Sequence, residues 1–149
     1  MRYLIDTNVV LRWSDNLAPE YQECQDAVAK SVGSGHIVCC CAQVFIEYWV
    51  VATRPAAVNG LGLTFDQACS SLSDIDKAFI HLPEPPDIAA RWANLVMRQG
   101  IMGKQAHDAR IAALMLAHGV THLLTLNPSD FVRYTGIVPV TPSQILQST

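Results

Sequence analysis

The chain reads as an α/β protein built on a parallel sheet, and three observations carry that reading. Short apolar runs of strand character alternate with longer segments of helical periodicity along all 149 residues. The first such run, Tyr3-Leu4-Ile5, ends directly on an acid and two residues of turn and helix-capping type, Asp6-Thr7-Asn8. Half of the residues are hydrophobic and 15% are charged, the balance of a globular chain and not a disordered one. A single domain over residues 1–149 suits this length, which can bury about 70% of its unfolded surface.

The first strand reaches Asp6, and Val9-Val10-Leu11 opens the helix behind it. Ligands of open α/β sheets bind outside the carboxyl ends of the strands, so Asp6 stands where substrate would arrive. Its plainer reading is a helix N-cap. Pro19 to Val32 is predicted helical, with Tyr21, Cys24, Val28 and Val32 on one face and Gly33 as the stop. His36 to Cys41 is the second strand. Its consecutive cysteines alternate across the strand, Cys39 and Cys41 to one face and Cys40 to the other. No CxxC spacing completes a zinc set, so they read as buried small hydrophobes.

Ala42 to Thr53 is a helix that is apolar nearly all round, and it is expected to be largely buried. Glu47 is its only charge. A carboxylate in such surroundings must be paired, neutral or metal-bound; Arg54 and Arg12 are the candidate ion-pair partners. Arg54 to Leu63 is an irregular connection punctuated by Pro55, Gly60 and Gly62. Thr64 caps a helix running to about Ser73, and Ala78 to Leu82 forms a third strand stopped by Pro83, Pro85 and Pro86. Asp87 to Gln99 is helical, with Ile88, Trp92, Leu95 and Val96 inward and Gly100 at the end.

His107 to His118 is strongly helical and closed by Gly119. Asp108 falls in its first turn, where the helix dipole favours an anion; His107 reads as structural or exposed sooner than as a proton carrier. Val120 to Leu126 is a strand, and Asn127 to Phe131 turns beyond its carboxyl end, bringing Asp130 to the rim that carries Asp6. Ile137 to Val140 is the last strand. Thr141-Pro142-Ser143 then caps a terminal helix, with proline at its permitted first position.

Charge and cysteine usage narrow the function classes. A formal net charge of -3 argues against a broadly basic, nucleic-acid-coating protein, and it leaves room for a local basic patch. Five cysteines, three of them adjacent, make no disulfide framework, which suits a reducing cytoplasm. Asp6 interrupts the first apolar run, so no signal peptide is expected, and no stretch reaches the roughly 18 apolar residues of a membrane span.

Four acids remain to be explained. Asp6 and Asp130 follow strands, Asp108 opens a helix, and Glu47 lies inside one. Strand carboxyl ends and helix amino ends meet at one rim of such a sheet, so Asp6, Asp108 and Asp130 can converge there. Glu47 joins them if its helix packs beside the first strand. Clustered carboxylates raise one another's pKa, so a native cluster implies a cation. Oxygen-only ligands suit Mg²⁺ or Mn²⁺, and the chemistry such ions support includes phosphodiester hydrolysis.

Leu4-Ile5-Asp6-Thr7-Asn8-Val9-Val10, Glu47, His107-Asp108-Ala109 and Leu124-Thr125-Leu126-Asn127-Pro128-Ser129-Asp130-Phe131 together resemble the PIN domain. More closely they resemble the toxin ribonucleases of VapBC toxin–antitoxin systems. Arg54-Pro55 to Gly60-Leu61 is similar to a stretch in a subset of those toxins. The resemblance implies a three-layer α/β/α sandwich with a central parallel sheet, and an Mg²⁺- or Mn²⁺-dependent endoribonuclease. It also implies a homodimer and a small antitoxin protein whose tail blocks the site. Carried over, Asp6, Glu47 and Asp108 would be metal-binding acids. The fourth place falls to Asp130, acting through water, or to Asn127, which stands where many members have an acid. Asn8, Thr125 and Asn127 would orient the attacking water or the substrate, and Arg12, Arg54, Lys104 and Arg110 are candidates for phosphate contacts. The expected reaction is in-line attack of an activated water on phosphorus, leaving 5′-phosphate and 3′-hydroxyl ends. Two rivals stand beside it. A haloacid-dehalogenase-like phosphatase would need a second acid where this chain has Asn8, and a catalytically silent PIN-like domain would only bind RNA or protein.

Overall fold

The first strand to be made is the middle of the sheet. In the computed structural model, which describes residues 1–148, β1 (Arg2–Ile5) lies between β2 (Ile37–Cys41) and β4 (His122–Leu124). The edge strands are β3 (Ile80–Leu82) and β5 (Val138–Val140), giving the order β3-β2-β1-β4-β5 with every neighbouring pair parallel. Leu4 is in register with Cys39 on one side and Leu123 on the other, so the strands' apolar runs form the buried centre of the molecule.

Helices cover both faces. On one face α1 (Thr7–Ser14), α2 (Tyr21–Gly33), α3 (Ala42–Thr53), α4 (Phe65–Ala78) and α7 (Pro142–Gln147) pack against one another; α5 (Ile88–Gln99) and α6 (Gln105–His118) pair with each other. This is the three-layer α/β/α arrangement. From β1 the chain moves to β2 and β3, then returns to the far side of β1 for β4 and β5. The direction of winding therefore reverses between β1 and β4, and the crevice outside their carboxyl ends is the topological switch point of the sheet.

Each predicted strand and helix is present, with shifted ends. The last strand-like residues before β4 serve α6 instead: Val120 donates its N–H to the Met115 carbonyl and closes the helix behind Gly119, which is left-handed at φ 61°. At the other end, pairing stops at Leu124, and Thr125 turns its side chain to Asp6. Ala78 completes α4, which Thr64 caps as predicted and, with Gln67, closes in a capping box, so β3 begins at Ile80. Pro139 sits on edge strand β5 between Val138 and Val140, the two residues that hydrogen-bond to the β4 side, so its missing N–H faces outward and blunts the edge.

The three adjacent cysteines are all buried and free. Burial pushes the Cys40 thiol up to about 12 and that of Cys41 to about 11, far from the thiolate a metal needs. One expectation is corrected: α3 is not buried all round. Val44, Tyr48 and Ala52 are buried, yet Ile46 is 62% and Val50 49% exposed. A helix on the outer layer has one face against the sheet, and its opposite face stays in solvent whatever its composition. None of the described helices is long and apolar enough to cross a membrane.

Candidate functional site

Asp6 follows the last residue of β1 and is the N-cap of α1, so it serves the helix and faces the crevice at once. Its backbone N–H donates to the Leu124 carbonyl at 2.9 Å, which fastens it to the end of β4. One carboxylate oxygen accepts from the Thr7 N–H at 2.8 Å; the other accepts from the Thr125 hydroxyl at 2.7 Å and the Asn8 side-chain amide at 3.0 Å. Burial raises the Asp6 pKa against the lowering effect of the Thr125 and Thr7 hydrogen bonds, and the charges of Glu47 and Asp130 raise it further.

Glu47 stands beside it through Thr7. The Thr7 hydroxyl donates to Glu47 Oε2 at 2.7 Å, and the Gln43 side-chain amide, one turn back on α3, donates to Oε1 at 2.8 Å. The ion pair considered for Glu47 is not made. Among the described residues the salt bridges are Arg12–Glu20, Arg91–Asp87 and Arg110–Glu84, and none involves Asp6, Glu47, Asp108 or Asp130.

Asp108 lies in the first turn of α6. Its pKa is pushed up to about 6, first by burial and then by the charges of Asp6, Asp130 and Glu47, with His107 opposing. Helix polarity at this position favours the anion, but desolvation and three like charges outweigh it. Asp130 ends the 3-10 turn Pro128–Asp130, is exposed, and is felt by both Asp6 and Asp108. All four acids thus act on one another at a single rim. Among the described residues no three His, Cys, Asp or Glu side chains are close enough as they stand to hold a metal ion. The acids share one electrostatic field without yet sharing one coordination sphere.

The polar residues around them divide by what they touch. Thr125 is fully buried; its hydroxyl donates to Asp6 and accepts from the Asn8 amide and the Asn127 N–H, so it meets Asp6 and is out of reach of a phosphate. Asn8 is likewise committed, its carbonyl oxygen accepting from the Leu126 N–H at 3.1 Å. The Asn127 side chain is exposed at the mouth. Of the four basic candidates, Arg110 is held by Glu84 and by Gln43, and Arg12 lies 3.9 Å from Glu20. Arg54 follows the far end of α3, about 10 Å along the helix axis from Glu47 at the usual rise per residue. Lys104 is exposed directly before α6, with no salt-bridge partner among the described residues.

Two residues in this network were not singled out from sequence, Thr7 and Gln43. Each had a local signal: Thr7 adjoins Asp6, and Gln43 precedes Glu47 by one helical turn. The donor set fits a hard cation. It consists of carboxylate oxygens without a cationic partner, and burial, with the charges of the neighbouring acids adding to it, makes Asp6 and Asp108 hold their protons more tightly.

An α/β/α sandwich with an acid-rich rim at its switch point is the class of protein that fold and site define. Within that class the chain belongs to the PIN domain family, whose model matches residues 3–136. Its structure is similar to that of VapBC-1 from nontypeable Haemophilus influenzae (TM-score 0.68, 19% identity, covering 96% of this chain and 99% of that one). It is also similar to VapBC2 from Rickettsia felis bound to a promoter DNA fragment (TM-score 0.67, 16% identity, 95% and 98% covered). A third similar structure is PAE2754 from Pyrobaculum aerophilum (TM-score 0.64, 15% identity, 99% and 94% covered). No curated protein matches the chain.

Proposed function

We propose that this chain is a metal-dependent endoribonuclease of the VapC type, the toxin of a toxin–antitoxin pair, acting as one nuclease domain over residues 1–149. The observation that carries the reading is the set of four carboxylates at the switch point, none of which has a cationic partner among the described residues. Membership of the PIN family supports it, as does the fold shared with VapBC structures. The same membership sets aside the phosphatase reading.

Asp6, Glu47 and Asp108 would hold Mg²⁺ or Mn²⁺, with Asp130 at the edge reaching it through water. The bound cation supplies Lewis acidity, acidifying a water and offsetting phosphate charge. The chain's own residues prepare the site. Thr125, Asn8 and the Thr7 N–H aim the Asp6 carboxylate, and the Thr7 hydroxyl sets Glu47 beside it. Asn127 and Lys104, exposed at the mouth, are the groups available to an RNA phosphate, with Asn127 a candidate to orient the attacking water. A small antitoxin protein is the expected partner, since VapBC structures share this fold. The apolar outer face of α3 suits a homodimer. A cytoplasmic setting accords with five free cysteines among the described residues.

The test is cleavage of structured RNA by the purified protein with Mg²⁺ or Mn²⁺, with EDTA, and by Asp6→Asn. Cleavage should need the metal and vanish in the variant while its circular dichroism stays that of the parent. An Asp6→Asn protein that cuts as fast as the parent ends the hydrolase reading and leaves the silent, binding-only domain.

A further inference from the structure

We infer that Gln43 is the positioning residue of the proposed metal centre: a buried amide that fixes Glu47 and the start of α6 relative to each other. The inference rests on the metal-dependent reading above and concerns a residue that reading does not use.

Gln43 is only 6% exposed, and each polar atom of its side chain is used. The amide nitrogen donates to Glu47 Oε1 at 2.8 Å and to the His107 carbonyl at 2.9 Å. The amide oxygen accepts from Arg110 Nη1 at 3.0 Å, and Nη2 of Arg110 donates to Glu84. The chemistry of the partners dictates the orientation of the amide. A guanidinium can only donate, while an ionised carboxylate and a carbonyl can only accept, so the oxygen must face Arg110 and the NH₂ must face Glu47. Arg110 thereby acts on the site through Gln43.

The consequence is geometric. Thr7 ties Asp6 to Glu47, which accounts for one half of the acid group. Asp108 belongs to α6, on the opposite face of the sheet from α3. The His107 carbonyl immediately precedes Asp108, so a bond from Gln43 to that carbonyl is a strut between the two halves. A side chain without an amide would cut the bond to the His107 carbonyl, take the donor from Glu47 Oε1 and leave Arg110 held by Glu84 alone.

Partners of this kind, behind the ligands themselves, typically cost 10–100-fold in metal affinity when removed. The experiment is Mn²⁺ titration followed by electron paramagnetic resonance, without RNA, on the parent, Gln43→Ala, Gln43→Met, Arg110→Ala and Gln43→Ala/Arg110→Ala. Circular dichroism checks the fold of each. Both Gln43 variants should bind Mn²⁺ about 10–100-fold more weakly, Met serving because it keeps the volume without the donors. Arg110→Ala should weaken binding in the same direction. The double variant should lose no more than Gln43→Ala alone, since the two act as one unit. Arg91→Ala, which breaks an exposed pair on α5, should leave binding unchanged. If the parent binds and folded Gln43→Met binds equally well, this inference is overturned and the metal reading survives. If the double variant loses the sum of the two single losses, the strut is not a unit and the role of Arg110 falls. A parent that binds no Mn²⁺ at millimolar concentration overturns the metal reading, and this inference with it.

Discussion

Each oxygen of Glu47 already has a neutral donor, Thr7 on one side and Gln43 on the other, and that arrangement decides what a neutral replacement does. A glutamine at 47 can accept from Gln43 and donate to the Thr7 hydroxyl, so both contacts survive while a repelled charge disappears. In EDTA, Glu47→Gln should melt no lower than the parent. Mg²⁺ should raise the parent's melting temperature by mass action and raise the variant's much less. A loss of roughly 3–5 kcal/mol in EDTA would instead mark a broken buried ion pair. The same melts have a pH signature through Asp108, whose folded pKa of about 6 lies above its ordinary value of 3.8. A raised pKa means that the folded state holds the proton more tightly. The associated stability is therefore present below about 4 and lost as pH rises towards 6. The advantage of Asp108→Asn over the parent in EDTA should grow across that window. Taking the difference cancels His122, whose lowered pKa works the other way in both proteins.

Among the elements, the connection between α3 and α4 is held more tightly than its irregular sequence suggests. The Arg54 carbonyl accepts from the Gly62 N–H at 2.9 Å, the Pro55 carbonyl accepts from the Gly60 N–H at 3.1 Å, and Asn59 is left-handed at φ 64°. A Cβ on Gly60 would stand 1.9 Å from the Arg54 carbonyl oxygen, a clash with backbone and not with a yielding side chain. Gly60→Ala should destabilise the protein by roughly 1–3 kcal/mol, the usual cost of forced overpacking. Denaturant melts would read it, and an unchanged midpoint would mean that the loop is free to move. The glycine was visible in the sequence as punctuation; that it abuts Arg54 was not.

For the whole molecule the outer face of α3 is the feature that points beyond a single chain. Ile46 and Val50 face solvent, as do Phe65 on α4 and Ile80 on β3. Isolated exposed apolar residues are ordinary; several on adjoining elements point to association. Sedimentation at micromolar concentration should give a homodimer of twice 16.3 kDa, and a clean monomer would count against it.

What the sequence determined by itself was local. The strand-to-acid turn at Ile5-Asp6, the Thr64 and Thr141 caps and the stops at Gly100 and Gly119 all depend on neighbours a few residues apart, and each is present in the structure, whereas Gly33 lies inside α2 and Ser34 ends it. The α/β class followed from their order, and the placing of Asp6 and Asp130 at one rim from the polarity of strand and helix. Only the tertiary structure decided which long-range partners meet. Thr125 is spent on Asp6 across 119 residues of chain, Gln43 reaches across 64 to the His107 carbonyl, and Arg110 serves Gln43 instead of standing free for a phosphate. The exposure of one face of α3 was not legible in the sequence for the same reason. Composition tells how apolar a face is, and packing against a distant segment decides whether that face is covered.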